Sequence, residues 1–344
     1  MIIQESKVQY QGNKMLEQRL KNHITTYCTL TVREYQDLVL FDATDGYYAN
    51  AQVIGRQGDF ITSPEISQVF GEIIALSFVN HWHQMGCPDH VLLAELGPGR
   101  GTLMADMIRT FKQFPDFWKT LTVYLVDVCP TLIQQQKMLL GDAIIHAPTL
   151  AAVPESDITF IVANEFFDAL PVEQYIYDPV KKERRERLVT FNEANKWHFI
   201  PHAAHEHIIE TSEASLTVAT EIKRRLTHGD GMAIMIDYGD DCAQRTGDTL
   251  QAVYQHQRVS IFDYLGQADL SHHVDFESLQ QVMAPLVTTL TTQGEFLIAN
   301  GINERTEYLS QKHPDLAANL RTGTIRMTVP SAMGSLFKVL VVKP

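Results

Sequence analysis

The segment Glu95-Leu96-Gly97-Pro98-Gly99-Arg100-Gly101-Thr102 gathers residue types that hold a charged, nucleotide-like ligand. Alternate glycines let a backbone turn adopt positive φ and come close to a ligand. The apolar run Val91-Leu-Leu-Ala-Glu-Leu precedes this turn, and a helical pattern over 102–112 follows, with Leu103, Met107, Ile108 and Phe111 on one face. Open α/β sheets bind ligands at such a junction. Asp127 closes a second apolar run from Leu121, where a carboxylate can accept both ribose hydroxyls of an adenosine ligand. Its alternative reading is a helix cap ahead of Pro130. A third run ends in Asn164-Glu165-Phe166-Phe167-Asp168-Ala169-Leu170-Pro171. Glu165 and Asp168 suit a guanidinium, which carboxylates orient by charge-assisted, bidentate hydrogen bonds. In the blander alternative one of them caps a helix and the other is solvated.

Other clusters carry less. Asp237-Tyr238-Gly239 ends the run Met232–Asp237 and can shape a site from the far side. Ser271-His272-His273-Val274-Asp275 offers two histidines and an acid, but metal ligation needs further partners. His202, His205 and His207 read as a solvated cluster, and the run Lys181-Lys-Glu-Arg-Arg-Glu-Arg187 as a solvated edge. No metal is assigned.

Runs that are apolar on both faces and alternate with helical patterns predict an α/β fold: a doubly wound, mostly parallel sheet flanked by helices. The strands fall at 91–96, 121–127, 158–164 and 232–237, with a last one at 336–342. The first forty residues read as helical. Gly55 to Glu65 reads as a loop that ends in a helix start, with Ser63 as N-cap, Pro64 at the first helical position and Glu65 in the first turn. The stretch 175–230 breaks the rhythm and reads as an inserted α/β segment. Residues 1–85 are thus expected to form a helical N-terminal region with a ligand-covering loop, and residues 86–344 the sheet core.

With 344 residues, 45% of them hydrophobic and 20% charged, the chain can bury a sizeable core and is too apolar to be disordered. Lys and Arg number 28 against 41 Asp and Glu, a net charge of −13, which disfavours binding to nucleic-acid phosphates. The four cysteines form no CxxC pair and read as inert thiols of a reducing compartment. No apolar run approaches the ~18–20 residues of a membrane span, and the opening MIIQESKVQYQGNK is too polar for a secretory signal. A cytoplasmic protein without membrane insertion is expected.

The glycine turn is GxGxG rather than GxGxxG, so a nicotinamide-dependent oxidoreductase is a rival that lacks its motif. With Glu95 two residues ahead of Gly97, the turn resembles motif I of class I S-adenosylmethionine-dependent methyltransferases. No Pro-Pro pair occurs, which disfavours methylation of planar amides or adenine. The segments Gly58–Gly71, Glu95–Leu103, Ala163–Pro171, Ile236–Gly239, Ala268–Phe276, Thr292–Leu297 and Met333–Leu340 together resemble the MidA family, whose mitochondrial members are complex I assembly factors. The match is colinear from about residue 30 to the C-terminus. Two departures are Asp127-Val-Cys-Pro130, where Ser before Pro is expected, and Ile261–Gly266, where an Asn-Pro-Gly turn is expected.

This resemblance implies a class I methyltransferase fold, Rossmann-like, and S-adenosyl-L-methionine as cofactor. It also implies protein arginine methylation, specifically symmetric dimethylation on the 49-kDa-type subunit of respiratory complex I. A non-catalytic complex I assembly chaperone keeping the same fold is the alternative. By the same resemblance Gly58, Thr62, Ser63, Pro64 and Glu65 cover the cofactor, while Glu95, Gly97, Gly99, Gly101, Thr102, Asp127 and Asn164 hold it. Glu165 and Asp168 would act on the arginine, with His272 in reserve for its proton. No presequence is visible, so a bacterial member is expected, and a homodimer is compatible with that reading.

Overall fold

In the computed structural model, which describes residues 14–49, 62–178, 180–194, 196–202, 208–240 and 247–344, the apolar runs form one central sheet. Its strands are β1 (Val91–Leu96), β2 (Leu121–Val126), β3 (Ile145–Ala147), β4 (Ile158–Asn164), β5 (Asp230–Asp240), β6 (Val274–Asp275), β7 (Val287–Thr292) and β8 (Phe337–Lys343). Their order across the sheet is β7-β8-β5-β4-β1-β2-β3, and β6 pairs with the end of β5. Every pairing from β3 to β5 is parallel, whereas β8 runs antiparallel to both β5 and β7. All six residues of β1, five of them apolar, are buried, as helices on both faces require.

The helices that bear on the site are α1 (Lys14–Tyr27), α2 (Val32–Phe41), α3 (Ser63–Ile66), α4 (Gln68–Gln84), α5 (Thr102–Phe111), α6 (Pro130–Leu140), α7 (Glu213–His228) and α8 (Phe276–Met283). α4 begins at Ser67, whose side-chain oxygen accepts the Val69 N–H at 3.3 Å. Its Phe70, Ile73 and Phe78 pack with Met107 and Phe111 of α5 on one face of the sheet. The rings of Phe78 and of Phe160 on β4 stack with centroids 5.0 Å apart. On the opposite face Ala219, Ile222 and Leu226 of α7 join Phe276 and Leu279 of α8 against Ala94, Ile161 and Ala233. Burying one such large apolar side chain stabilises the fold by about 1.5–3 kcal/mol, so the two layers hold the sheet from both sides.

A third core lies off this sheet. Leu16 and Leu20 of α1 and Tyr35 and Leu40 of α2 pack with Val189, Leu250, Leu265 and Leu270. These last residues stand on or beside small antiparallel sheets: one joins Leu30–Thr31, Leu188–Phe191 and Trp197–Ile200, another joins Gln251–Tyr254, Gln257–Val259 and Asp269–Ser271. The helices α1 and α2 therefore rest on strands from the middle of the chain, while α4 belongs to the central sheet.

The register sets where the chemistry can happen. Leu96 is level with Val126 and Ala163, and Asn164 is level with Ile236. The carboxyl ends of β1, β2 and β4 thus finish within a residue of one another while β5 runs on to Asp240, and the strand order reverses between β1 and β4, which opens a crevice there.

Candidate active site

A cavity of about 400 Å³ fills this crevice, a volume suited to a small-molecule ligand. Its floor is the turn after β1. Gly97, Gly99 and Gly101 have φ of 61°, 52° and 85°. At Gly97 a Cβ would lie 2.7 Å from the Phe166 ring, so the residue is held to glycine by both backbone shape and space. Among the contacts that pin the turn, the Gly97 N–H donates to the Val126 carbonyl at 3.1 Å, and Thr102 Oγ1 donates to Glu65 Oε1 at 2.6 Å. The second contact ties α5 to α3, which Pro64 and Thr62 carry to the cavity wall.

Glu95, the next-to-last residue of β1, is 2% exposed. Burial, aided by the charge of Asp127, pushes its carboxyl up to about 8. Glu95 Oε2 and Asn164 Oδ1 are buried acceptors without a partner among the described residues, and both residues line the cavity. Two buried acceptors left unmet carry a desolvation cost that a donor-bearing cation removes. Across the cavity Asp127 does two jobs. Its Oδ1 accepts the Cys129 N–H at 2.8 Å, turning the chain into α6, and its Oδ2 accepts Gln136 Nε2 at 2.7 Å. Burial still raises its carboxyl above the usual range.

The other end of the cavity is built by the turn after β4. Glu165 sits at φ 50°, unusual for a residue with a side chain, and its Oε1 accepts Asn164 Nδ2 at 3.2 Å. Burial, then the charge of Asp168, pushes Glu165 up to about 8; the Ser63 N–H opposes this. Asp168 is pushed up to about 6, by burial against a hydrogen bond from the Tyr238 hydroxyl. Behind both stands Asp237, which is fully buried. Its Oδ2 accepts three successive amides, those of Phe166, Phe167 and Asp168 at 3.2, 3.0 and 3.2 Å, and Oδ1 accepts the Tyr238 N–H at 2.9 Å. The Tyr48 side chain closes the cavity near Asp269 and Asp168; burial first, then those charges, push its hydroxyl above the usual range.

The residues singled out from the sequence thus fall mostly around one space. Thr62, Pro64, Glu65, Glu95, Gly97, Gly99, Thr102, Asp127, Asn164, Glu165 and Asp168 all line it. Ser63 and Gly101 stand behind the wall: Ser63 Oγ donates to Gln293 Oε1 at 3.2 Å, and Gly101 closes the turn through a 2.8 Å bond to the Pro98 carbonyl. Gly58 lies outside the described residues. His272 is set apart from the cavity. Its ring nitrogens lie 3.0 Å from the Leu170 carbonyl and 2.9 Å from the His273 carbonyl, and it borders a separate cavity of about 70 Å³. Asp275 is taken up in capping α8, accepting the Ser278 N–H at 3.0 Å. Sequence reasoning missed Gln136 and Tyr48. A glutamine within a helix and a tyrosine in a single 3-10 turn have no periodicity or motif to mark them.

Since Asp237 gathers four amide donors, Asp237→Ala is expected to lower stability by about 3 kcal/mol or more. Urea denaturation measures this, and a loss under ~1 kcal/mol would mean that the turn after β4 holds its shape without the carboxylate.

Comparison with known proteins agrees with this geometry. A family model for S-adenosyl-L-methionine-dependent methyltransferases matches residues 73–294. The mitochondrial protein arginine methyltransferase NDUFAF7 of Mus musculus is 32% identical, covering 92% of this chain and 81% of that protein. The Drosophila melanogaster homologue of NDUFAF7 is 30% identical, covering 97% and 86%. These relatives are mitochondrial proteins, which overturns the cytoplasmic location expected from the polar N-terminus. Among solved structures, a Burkholderia thailandensis protein crystallised with S-adenosyl-homocysteine has the same fold, with a TM-score of 0.84 at 24% identity over 96% of this chain and 92% of that one.

Proposed function

On the premise that this chain belongs to the MidA-like family of S-adenosyl-L-methionine-dependent methyltransferases, we propose that it methylates an arginine side chain of a protein. The finer reading is symmetric dimethylation of an arginine on the 49-kDa-type subunit of respiratory complex I. The observation that carries the arginine assignment is the pair of half-buried Glu165 and buried Asp168, which line the same cavity as Glu95 and Asp127. Named relatives are protein arginine methyltransferases, which supports the same choice.

Glu95 and Asn164 would take the ammonium of the cofactor, Asp127 its ribose hydroxyls, and the Gly97–Gly101 turn its close backbone contacts. The cofactor supplies an electrophilic methyl on a sulfonium. The protein's part is then orientation and charge. Asp168, ionised at neutral pH, holds the guanidinium and is itself held by the Tyr238 hydroxyl. A guanidinium with pKa above ~12 must give up a proton once a nitrogen is alkylated, and Glu165 is the stronger base of the pair. Two carboxyls whose environments separate their pKa values divide the work of binding and proton removal. Holding the nucleophile in line against the methyl group gives most of the acceleration.

Isothermal titration with S-adenosyl-L-methionine is expected to show saturable binding that Gly97→Val abolishes, because valine meets the Phe166 ring and disfavours φ 61°. Undiminished binding by a cooperatively folded Gly97→Val protein would remove the glycine turn from the cofactor site. Mass spectrometry of the 49-kDa-type subunit after incubation should find one or two methyl groups on an arginine. An unmodified subunit beside cofactor-loaded protein would count against this substrate.

The pH dependence follows from Glu165. Its carboxyl holds a proton below about 8 in the free protein, so kcat/KM should rise as pH passes through that value and level off above it. A bound cation favours the carboxylate, so kcat should level off at lower pH. Glu165→Gln should remove the rise, and a profile unchanged by that substitution would assign the proton elsewhere.

A further inference from the structure

The amide of Gln136 is fully buried on α6 and joins two parts of the cavity wall that are far apart in sequence. Its Nε2 donates to the Gly99 carbonyl and to Asp127 Oδ2, each at 2.7 Å. Both partners are acceptors, so the nitrogen must face them, and Oε1 is turned the other way. There it meets His146 Nε2 at 2.8 Å. An amide oxygen can only accept, so His146 must carry its proton on Nε2. His146 stands on the edge strand β3, level with Leu125 of β2. The chain of donors therefore runs from the sheet edge to the cavity: imidazole N–H to amide oxygen, then amide N–H to carboxylate and to carbonyl.

We propose that Gln136 and His146 are positioning residues of the cofactor site, a relay that fixes the Asp127 carboxylate and the glycine turn in one rigid frame. Asp127 is held on Oδ1 by the Cys129 N–H and on Oδ2 by Gln136, with the Val128 N–H also directed at the carboxylate, so its plane is set before any ribose arrives. The Gly99 carbonyl is held by the other hydrogen of the same nitrogen, so the turn cannot rotate independently of Asp127. The His146 N–H fixes which end of the amide faces inward. With that bond lost, the amide can flip and set its oxygen against two acceptors. Successive hydrogen bonds of this kind polarise one another, which strengthens the inner pair.

The inference rests on Asp127 holding the ribose, and the test separates the two. Binding of S-adenosyl-homocysteine is titrated against wild type, Asp127→Asn, Gln136→Met, His146→Ala and His146→Gln, with thermal melting of each ligand-free protein. Gln136→Met is expected to weaken binding about tenfold or more, the loss of two charge- or carbonyl-directed donors. His146→Ala should weaken it severalfold, with melting close to wild type because His146 lies on an edge strand. His146→Gln, whose side-chain N–H reaches the Nε2 position, should restore binding to within about twofold. In turnover the effect should fall on KM for the cofactor while kcat is kept. Wild-type binding by Gln136→Met and His146→Ala, with Asp127→Asn impaired, would overturn the relay alone. Wild-type binding by Asp127→Asn would overturn the ribose assignment and the relay with it. Equal weakening by His146→Ala and His146→Gln would mean that the ring fills space rather than donates, and would overturn the role given to His146.

Discussion

The Asp237 carboxylate is the contact on which the site depends. Three successive amides after β4 point at one of its oxygens, and without that acceptor they would be buried donors left unmet, at about 1–3 kcal/mol apiece. Meeting them bends the chain sharply enough to leave Glu165 at positive φ and to bring Asp168 onto the cavity wall. The same carboxylate is fully buried beside the two acids it positions, and burial and their charges push it well above the usual carboxylate range. The turn is thus stable through hydrogen bonds and strained through charge. That combination gives a site whose geometry is set in advance while its electrostatics await a cation.

The central sheet was legible because burial on both faces leaves a local mark, a run in which apolar residues predominate. β1, β2, β4, β5 and β8 carry it. β3 and β7 do not: one is three residues on an edge, and the other, Val287–Thr292, mixes threonine with two aliphatic residues on a half-exposed strand. The glycine turn and the acids at strand ends were also readable, since glycine spacing and strand ends are properties of short segments. Relations between segments were not. Asp237 looked like one more acid at a strand end, and nothing near it in sequence says that it receives the amides of residues 166–168. Gln136 owes its place to the angle at which α6 leaves Asp127. His272 follows a strand as catalytic residues often do, yet the register turns its ring onto the carbonyls of Leu170 and His273.

The cavity is also assembled across two cores. Its floor and far end come from the central sheet, through Glu95, Gly97, Asn164 and Glu165, while Tyr47 belongs to the core that α1 and α2 share with the small sheets. Gln36 on α2 bridges these parts, its Oε1 accepting the Val172 N–H at 2.8 Å just beyond the Glu165–Pro171 turn. Cys129 makes a second bridge, its thiol donating to the Tyr48 carbonyl at 2.9 Å. The aromatic wall is therefore anchored to the ends of two different parallel strands.

The buried acids of the cavity also bear on turnover. Methyl transfer leaves the spent cofactor with one positive charge fewer than the fresh one. On the proposed assignment of Glu95 and Asp127 to the cofactor, both sit in a medium where charge is poorly screened, so their attraction for the bound molecule would weaken once the sulfonium is neutralised. Acid burial at the strand ends would thereby favour exchange of the used cofactor for a new one, a bias toward release built into the same residues proposed to recruit it.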